Sequence, residues 1–232
     1  MPKFQKSHKV DLLMDLLNEL YGRKSLPKVL HNPLDSPIQT ILSQNTNDKN
    51  SHRAWIALKK RFPSWYLADK ADQRILARTI EVGGLKNQKA LTIKKILRTV
   101  KANTGNYSLA YLKKYDDVSM FNYLLQFDGV GPKTAACVMI FAFGRSIFPV
   151  DTHIHRICKR VGIVNARTAD ETQRAMQPLV DPKSTYSFHI NLIRFGRNIC
   201  KAQKPKCGSC PIFDLCIFTQ KYQVLSEKNT GR

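Results

Sequence analysis

The segment FDGVGPKTAACVMIFAFG, residues 127–144, decides the fold of this chain. Gly129 and Gly131 flank a single valine, Pro132 follows, and Lys133 stands shortly before a nine-residue apolar run. Because proline is favoured at the first position of a helix, the pattern predicts a tight turn that leads directly into a buried helix. A glycine turn in front of a helix exposes backbone N–H groups that bind phosphate. Lys133 then either extends its ammonium group to solvent or serves as a reactive amine beside that phosphate.

The charge of the chain indicates a polyanionic partner. Its 232 residues contain 38 Lys and Arg against 17 Asp and Glu, a formal net charge of +21 at pH 7. Nucleic acid or an acidic membrane surface would offset such an excess. The apolar run 135–143 is far shorter than the roughly 20 residues that a membrane span requires, and the stretch MPKFQKSHKV lacks the apolar core of a signal peptide. We therefore expect an intracellular protein, in the cytoplasm or at the nucleoid, that binds nucleic acid.

Helical periodicity runs through most of the chain and predicts an all-α fold. Apolar residues recur at spacings of three and four, as in the leucines of 12–20, and the sequence has no series of alternating strands. Thr168 with Glu171 three residues later predicts a capped helix start, whereas Pro63 and Gly162 predict helix ends. The predicted helices cover residues 12–20, 55–62, 91–100, 118–127, 133–143, 154–161 and 185–199.

Four cysteines close together near the C-terminus indicate a metal centre. Cys200, Cys207, Cys210 and Cys216 have the spacing C-x6-C-x2-C-x5-C. In an intracellular chain such a cluster favours metal ligation over disulfides. Structural zinc sites more often combine two separated C-x2-C pairs, whereas iron–sulfur clusters accept looser loops. The spacing alone thus favours an iron–sulfur cluster modestly and leaves zinc open.

Asp151, in the segment VDTH, completes the pattern that begins at Lys133. It directly precedes an apolar helical stripe, so it is predicted to cap that helix. The combination of GVGPKTA with VDTH closely resembles the endonuclease III branch of the helix-hairpin-helix DNA glycosylases, which remove damaged bases. The resemblance implies that Lys133 is the nucleophile and that Asp151 assists it. An amine in that role displaces the base at the anomeric carbon and holds the sugar as a Schiff base, from which β-elimination nicks the strand.

The resemblance covers residues 25–217 and also bears on the cysteine loop. The same cysteine spacing is the one that endonuclease III-like enzymes use for a 4Fe–4S cluster. Lys201, Lys204 and Lys206 lie between the first two cysteines. The resemblance implies that this loop presses its cations onto DNA phosphates, and the alternative is a solvated run of charge.

Two further motifs resemble the elements that fill the gap left by an extruded nucleotide. The stretch ILSQNTND matches a Gln-x-Thr element that would place Gln44 in the duplex, and GGLKNQKA matches a turn that offers Leu85 as an apolar wedge. Each has an ordinary alternative, a helix-end amide for Gln44 and a core side chain for Leu85. Together with Gly129 and Gly131, they are the predicted DNA contacts of this half of the chain.

The chain also departs from the family pattern. Lys86 follows Leu85 where the best-known members carry an aromatic residue, Asp128 replaces the proline before the glycine turn, and Asn45 and Asn47 alter the motif around Gln44. These positions affect the pocket. The preferred base is therefore the weakest part of the prediction.

The resemblance implies two helical lobes with a DNA-binding cleft between them. We expect a six-helix bundle with the helix-hairpin-helix over residues 25–143, and a discontinuous iron–sulfur domain formed by 1–24 and 144–232. The expected activity is that of a monomeric bifunctional glycosylase and AP lyase on duplex DNA with oxidised pyrimidines or abasic sites. The alternatives are a monofunctional glycosylase for mismatched adenine, thymine or uracil, and a non-catalytic DNA-binding module. Adenine-specific relatives carry a catalytic glutamate four residues before the glutamine, where this chain has Thr40.

Overall fold

The regular structure of the chain is helical, as the sequence predicts. A computed structural model describes residues 3–26 and 32–222, and within those ranges it contains α-helices and short 3₁₀-helices but no strand. The α-helices are α1 (Lys3–Tyr21), α2 (Asp35–Ser43), α3 (Asp48–Arg61), α4 (Trp65–Lys70), α5 (Gln73–Thr79), α6 (Lys86–Thr104), α7 (Asp117–Leu125), α8 (Pro132–Phe143), α9 (Thr152–Val161), α10 (Ala169–Met176) and α11 (Thr185–Asn198).

Polar side chains fix where several helices begin. The predicted cap at Thr168 is present, since its Oγ1 accepts a hydrogen bond from the N–H of Glu171 at 3.1 Å. The Glu171 carboxylate in turn accepts from the N–H of Arg167 at 2.8 Å, one residue before the expected partner. Asn47 and Asp116 cap α3 and α7 in the same way. Each cap satisfies an N–H group that has no partner within its own helix.

The chain divides into two compact units. The continuous unit is Pro27–Arg145, and the composite unit joins Met1–Leu26 to Ser146–Arg232. The described part of the continuous unit contains seven α-helices, one more than the expected bundle, because the extended Ala71 separates the six-residue α4 from α5. No described helix of either unit is long and apolar enough to cross a membrane.

The core of the continuous unit is built around α8. Its residues from Thr134 to Ile140 are all buried, and the helix packs against α2 and α7. A helix that is apolar on every side is stable only when neighbours surround it. Burying α8 therefore fixes the position of the turn that precedes it, which contains Gly129 and Gly131.

The composite unit packs α1 and α9 against α11, and its core includes Leu13, Phe148 and Phe188. The segment from 146 to 150 has no regular secondary structure and is held by side chains. The side chain of Gln177 accepts a hydrogen bond from the N–H of Phe148 and donates one to the carbonyl of Ser146, both at 2.8 Å. The buried His189 donates from Nδ1 to the carbonyl of Pro149 at 2.9 Å. These bonds fix the backbone that leads to Asp151.

Candidate active site

The turn between α7 and α8 requires a glycine at one position and leaves backbone donors exposed at the other. Gly129 has φ +75°, and a Cβ atom there would lie 2.9 Å from Cγ2 of Thr92, so a larger residue is excluded. Gly131 is extended at φ −88°, a conformation open to any residue, and it is the N-cap of α8 without a side-chain cap. A Cβ atom at Gly131 would meet nothing within 4 Å. The space in front of α8 is thus open to a phosphate that would accept from the first-turn N–H groups.

Lys133 follows Pro132 in the first turn of α8 and is half-buried. Within the described part of the continuous unit, its amine forms no hydrogen bond or ion pair. The next residue, Thr134, is already in the core at 4% exposure. Lys133 therefore stands at the boundary between the apolar helix and the open turn, with an amine left for a ligand.

Asp128 places a carboxylate in the same turn. Its Oδ2 accepts a hydrogen bond from Nζ of Lys95, on α6, at 2.7 Å, and both side chains are more than half exposed. An acid at a phosphate-binding turn opposes the approach of DNA, and the ion pair occupies a lysine that would otherwise attract it. The departure at Asp128 thus has a visible electrostatic consequence.

Gln44 is partly exposed and Leu85 is exposed, both on the continuous unit. Gln44 ends α2, and its Nε2 donates to the carbonyl of Gly129 at 3.3 Å, so the structure brings this amide to the turn before α8. Leu85 precedes α6 in the left-handed conformation, with φ 47° and ψ 37°, and is 50% exposed. Leucine rarely adopts that conformation. Leu85 is consequently not a core residue, which removes the ordinary alternative for this side chain.

Asp151 caps α9, as the sequence predicts. Its Oδ1 accepts a hydrogen bond from the N–H of Ile154 at 2.9 Å. The side chain is partly exposed, and one carboxylate oxygen is thus fixed by the helix while the residue keeps contact with solvent. Burial lowers the pKa of His153, in the same turn, an effect that the nearby Asp151 carboxylate partly offsets.

The cysteine loop follows α11 and is tied to α9 by two arginines that the sequence analysis did not single out. Arg156 donates from Nη2 to the carbonyl of Cys200 at 2.7 Å. Arg160 donates to the carbonyl of Lys201 at 2.7 Å and approaches Sγ of Cys200 at 3.5 Å. The i, i+4 spacing of the arginines places them on one face of α9. That spacing is the signal that would have found them.

The four cysteines lie around one cavity. Cys200, Cys207, Cys210 and Cys216 line a space of about 320 Å³, part of it open to solvent, together with Arg160 and Ile212 among others. Within the described chain, no three His, Cys, Asp or Glu side chains are arranged to hold a single metal ion. Four thiols spread around a cavity fit a multinuclear cluster better than one zinc ion.

Two of the four thiols have raised pKa values. Burial and the neighbouring cysteines Cys200 and Cys216 raise the pKa of Cys207. Burial raises the pKa of Cys210 to about 11. A metal that binds these thiols would stabilise their thiolates. Four converging thiols are the donor set that an iron–sulfur cluster uses. The lysines of the loop, at 201, 204 and 206, are all exposed.

Fold and site together define a helix-hairpin-helix protein that binds DNA. Residues 38–182 match the model of the HhH-GPD superfamily of base excision DNA repair proteins. Residues 200–216 match the iron–sulfur binding domain of endonuclease III. The chain belongs to the HhH-GPD superfamily and, within it, is an endonuclease III-like enzyme.

Individual relatives agree with this assignment. The chain is 33% identical over 210 residues to endonuclease III of Thermotoga maritima, covering 90% of this chain and 94% of the relative. It is 31% identical over 216 residues to endonuclease III of Bacillus subtilis, covering 91% and 93%. The structure of a non-covalent endonuclease III–DNA complex matches with a TM-score of 0.80 at 26% identity, over 96% of this chain and 99% of that one.

The predicted activity and cofactor are confirmed. The protein is a DNA glycosylase and AP lyase of base excision repair, and its cofactor is a 4Fe–4S cluster. Zinc, the alternative that the cysteine spacing left open, is thereby excluded.

A thermostable thymine-DNA glycosylase shares the fold with a TM-score of 0.76 at 23% identity.

Proposed function

We propose that Lys133 is the nucleophile of a bifunctional glycosylase that removes oxidised pyrimidines from duplex DNA, assisted by Asp151. The observation that carries the proposal is the half-buried amine of Lys133 in the first turn of α8, directly beside a turn whose backbone donors are uncapped. A phosphate held by those donors would bring a sugar within reach of the amine.

The chemistry uses only the two side chains. The neutral amine of Lys133 attacks the anomeric carbon, and the bond from that carbon to the base breaks with its electron pair leaving on the base. The Asp151 carboxylate accepts a proton from the amine and balances the positive charge that develops on the sugar. Ring opening then gives a Schiff base between Lys133 and the sugar. Loss of a proton from the adjacent carbon expels the 3′ phosphate, which nicks the strand and leaves the enzyme to be freed by hydrolysis.

The DNA contacts are proposed on the same grounds. The side chains of Gln44, which is partly exposed, and Leu85, which is exposed, would enter the gap left by the flipped nucleotide. The backbone at Gly129 and Gly131 would bind a phosphate. The exposed Lys201, Lys204 and Lys206 would bind further phosphates, on a loop shaped by the cluster. We propose Cys200, Cys207, Cys210 and Cys216 as the cluster ligands, and a structural role for the cluster.

The nature of residue 40 favours this activity over excision of mismatched adenine. Thr40 is buried at 9% exposure, and its hydroxyl donates to the carbonyl of Ser36 at 2.9 Å. The position therefore offers no carboxylate, and its hydroxyl is already bonded within α2.

Since the proposed nucleophile and its assistant lie on the same chain, we propose that the enzyme acts as a monomer on damaged or abasic duplex DNA, in the cytoplasm at the nucleoid.

Borohydride trapping on abasic DNA tests the nucleophile. Lys133→Gln keeps the polarity of the side chain but has no amine, so crosslinking, base release and nicking should all be lost while DNA affinity survives. Lys101→Gln is the matched control, because that lysine lies on α6 with its ammonium over the rings of Tyr66 and Tyr107. A Lys133→Gln protein that still crosslinks would show that another amine is the nucleophile.

Asp151→Asn separates the two roles of the aspartate. Asparagine caps a helix as well as aspartate does, so the unfolding free energy should change little. Base release should fall by about 100-fold, the scale of a lost general base. A variant with normal excision would leave Asp151 as a cap only.

Excision from a panel of oxidised, deaminated and methylated bases tests the preference for oxidised pyrimidines, and a preference for another class would refute that part of the proposal.

A further inference from the structure

Lys89, on α6, is a buried lysine that the proposed chemistry does not use. It is 3% exposed. Its Nζ donates to the carbonyl of Leu42 at 2.8 Å and to the carbonyl of Gly83 at 2.8 Å. The two carbonyls belong to different segments of the continuous unit, so the ammonium group joins them.

Both bonded carbonyls lie two residues before a proposed gap-filling residue along the chain. Leu42 is in the last turn of α2, two residues before Gln44, where helix carbonyls have no partner within the helix. Gly83 lies two residues before Leu85, in the short 3₁₀-helix Glu81–Gly83. Lys89 therefore fixes the base of the Gln44 segment to the base of the Leu85 segment.

The surroundings leave these segments little room to shift. A Cβ atom at Gly83 would lie 3.2 Å from Cβ of Ala54. Leu85 itself is in the left-handed conformation, which persists only where the neighbouring structure imposes it. One of the bonds from Lys89 holds the backbone two residues before Leu85.

Stability alone does not account for a lysine at this position. Burial lowers the pKa of Lys89, and among the described residues it forms no ion pair with a carboxylate. Burying an ammonium group in this way is costly, and an apolar side chain of the same length would fill the space without that cost. The two hydrogen bonds are what only the lysine provides.

We infer that Lys89 is a positioning residue that holds Gln44 and Leu85 at the spacing at which both enter the same gap in the duplex. The inference rests on the proposed insertion of Gln44 and Leu85, and it assigns to Lys89 no contact with DNA. It predicts that loss of the two bonds impairs extrusion of the nucleotide and leaves the lysine chemistry at the sugar intact.

The chain supplies a matched control on the same helix. Lys94 is 4% exposed, and its Nζ donates to the carbonyls of Asp69, at 2.7 Å, and Ala71. Those carbonyls lie at the junction of α4 and α5 rather than just before the gap-filling residues along the chain. Lys89→Met and Lys94→Met thus remove the same kind of group from the same helix, and only the first disconnects the proposed gap-filling segments.

The experiment compares two reactions of each variant with its stability. One reaction is base excision from duplex DNA with a single oxidised pyrimidine, and the other is nicking at an abasic site in single-stranded DNA, which needs no extrusion. A 2-aminopurine opposite the damaged base reports unstacking by its fluorescence. Urea unfolding of each holoprotein gives the stability. Lys89→Gln replaces Lys89→Met if the latter does not fold, because its shorter side chain keeps an NH₂ group but carries no charge.

Lys89→Met should lower duplex excision by roughly 10- to 100-fold, the scale of a misplacement of about 1 Å that arises far from the reacting atoms. Its single-stranded nicking should match that of the unmodified enzyme, and the 2-aminopurine signal should be lost. Lys94→Met should change duplex excision by less than about twofold, the scatter of independent sites. Lys89→Met should add little to a Gln44→Ala/Leu85→Ala variant, since the three residues act as a unit.

Other results would overturn the inference in distinguishable ways. Equal losses of duplex excision in Lys89→Met and Lys94→Met would make Lys89 an ordinary structural residue. The same conclusion would follow if Lys89→Met lowered duplex excision by the same factor in the Gln44→Ala/Leu85→Ala variant as in the unmodified enzyme. Normal excision by the Gln44→Ala/Leu85→Ala variant would refute the proposed insertion itself, and the inference with it, while leaving the role of Lys133 untouched.

Discussion

Replacing Leu85 with glycine should leave the stability of the protein nearly unchanged. The left-handed backbone of a non-glycine residue costs about 1–2 kcal/mol, which glycine would recover. Against this, Leu85 is 50% exposed, so deleting its side chain gives up roughly 1 kcal/mol, half of the value for a fully buried leucine. Glycine also loses about 0.5–1 kcal/mol through the greater freedom of its unfolded chain. These contributions cancel to within about 1 kcal/mol.

A buried leucine of the same unit gives the reference. Leu97 on α6 is fully buried at 0% exposure, and Leu97→Ala should cost about 2–5 kcal/mol. Urea unfolding of the two variants, followed by circular dichroism, measures both free energies. The contrast between them isolates the effect of the left-handed backbone and the exposure of Leu85.

The activity of Leu85→Gly should change although its stability does not. Single-turnover excision from damaged duplex DNA should fall by roughly 10-fold or more, because the apolar wedge offsets an unstacking cost of a few kcal/mol per base step. Nicking of single-stranded abasic DNA should persist. A loss of more than about 2 kcal/mol of stability with normal excision would show that Leu85 is an ordinary packing residue, and the reasoning about its conformation would then be refuted.

Three further predictions concern other parts of the molecule. Asp128→Asn removes the carboxylate that pairs with Lys95, so DNA affinity, measured by fluorescence anisotropy, should rise about threefold at low salt. The plot of log affinity against log salt concentration should become steeper by up to about 0.9, because Lys95 is then available to a phosphate. Unchanged or weaker binding would contradict this prediction. Cys207→Ser should yield protein depleted of iron and sulfide, with weaker DNA binding but normal borohydride trapping in the folded fraction, and a full complement of iron would contradict its role as a ligand. Burial lowers the pKa of both His153 and His155 from the ordinary 6.5. As the pH falls, these histidines are therefore protonated in the unfolded chain before they are protonated in the folded protein. Their contribution to stability is fully present above about pH 6.5 and is lost below it, so urea unfolding at about pH 7.5 and 5.5 should show a loss that His153→Gln/His155→Gln reduces.

The sequence by itself determined the features that depend on neighbouring residues. The long helices α1, α6 and α11 follow from an apolar repeat of three and four residues, and Thr168 and Asp151 cap helices because each reaches an N–H group three residues away. The cysteine loop and the turn before Lys133 are also contiguous in sequence, so their spacing carried the family resemblance. The helices α2, α4 and α5 were not predicted. The last two are only six and seven residues long, and helices of that length form only through tertiary packing.

Only the tertiary structure decided the contacts between distant segments. Gln44 bonds to Gly129 across 85 residues, and Lys89 bonds to Leu42 across 47. Arg160 is bound to the cysteine loop some forty residues later, at Lys201. No periodicity or spacing records which carbonyl a buried ammonium or guanidinium group will meet, because that partner is set by how the helices pack. The sequence therefore indicates the proposed reactive groups of this enzyme, whereas packing decides how they are held.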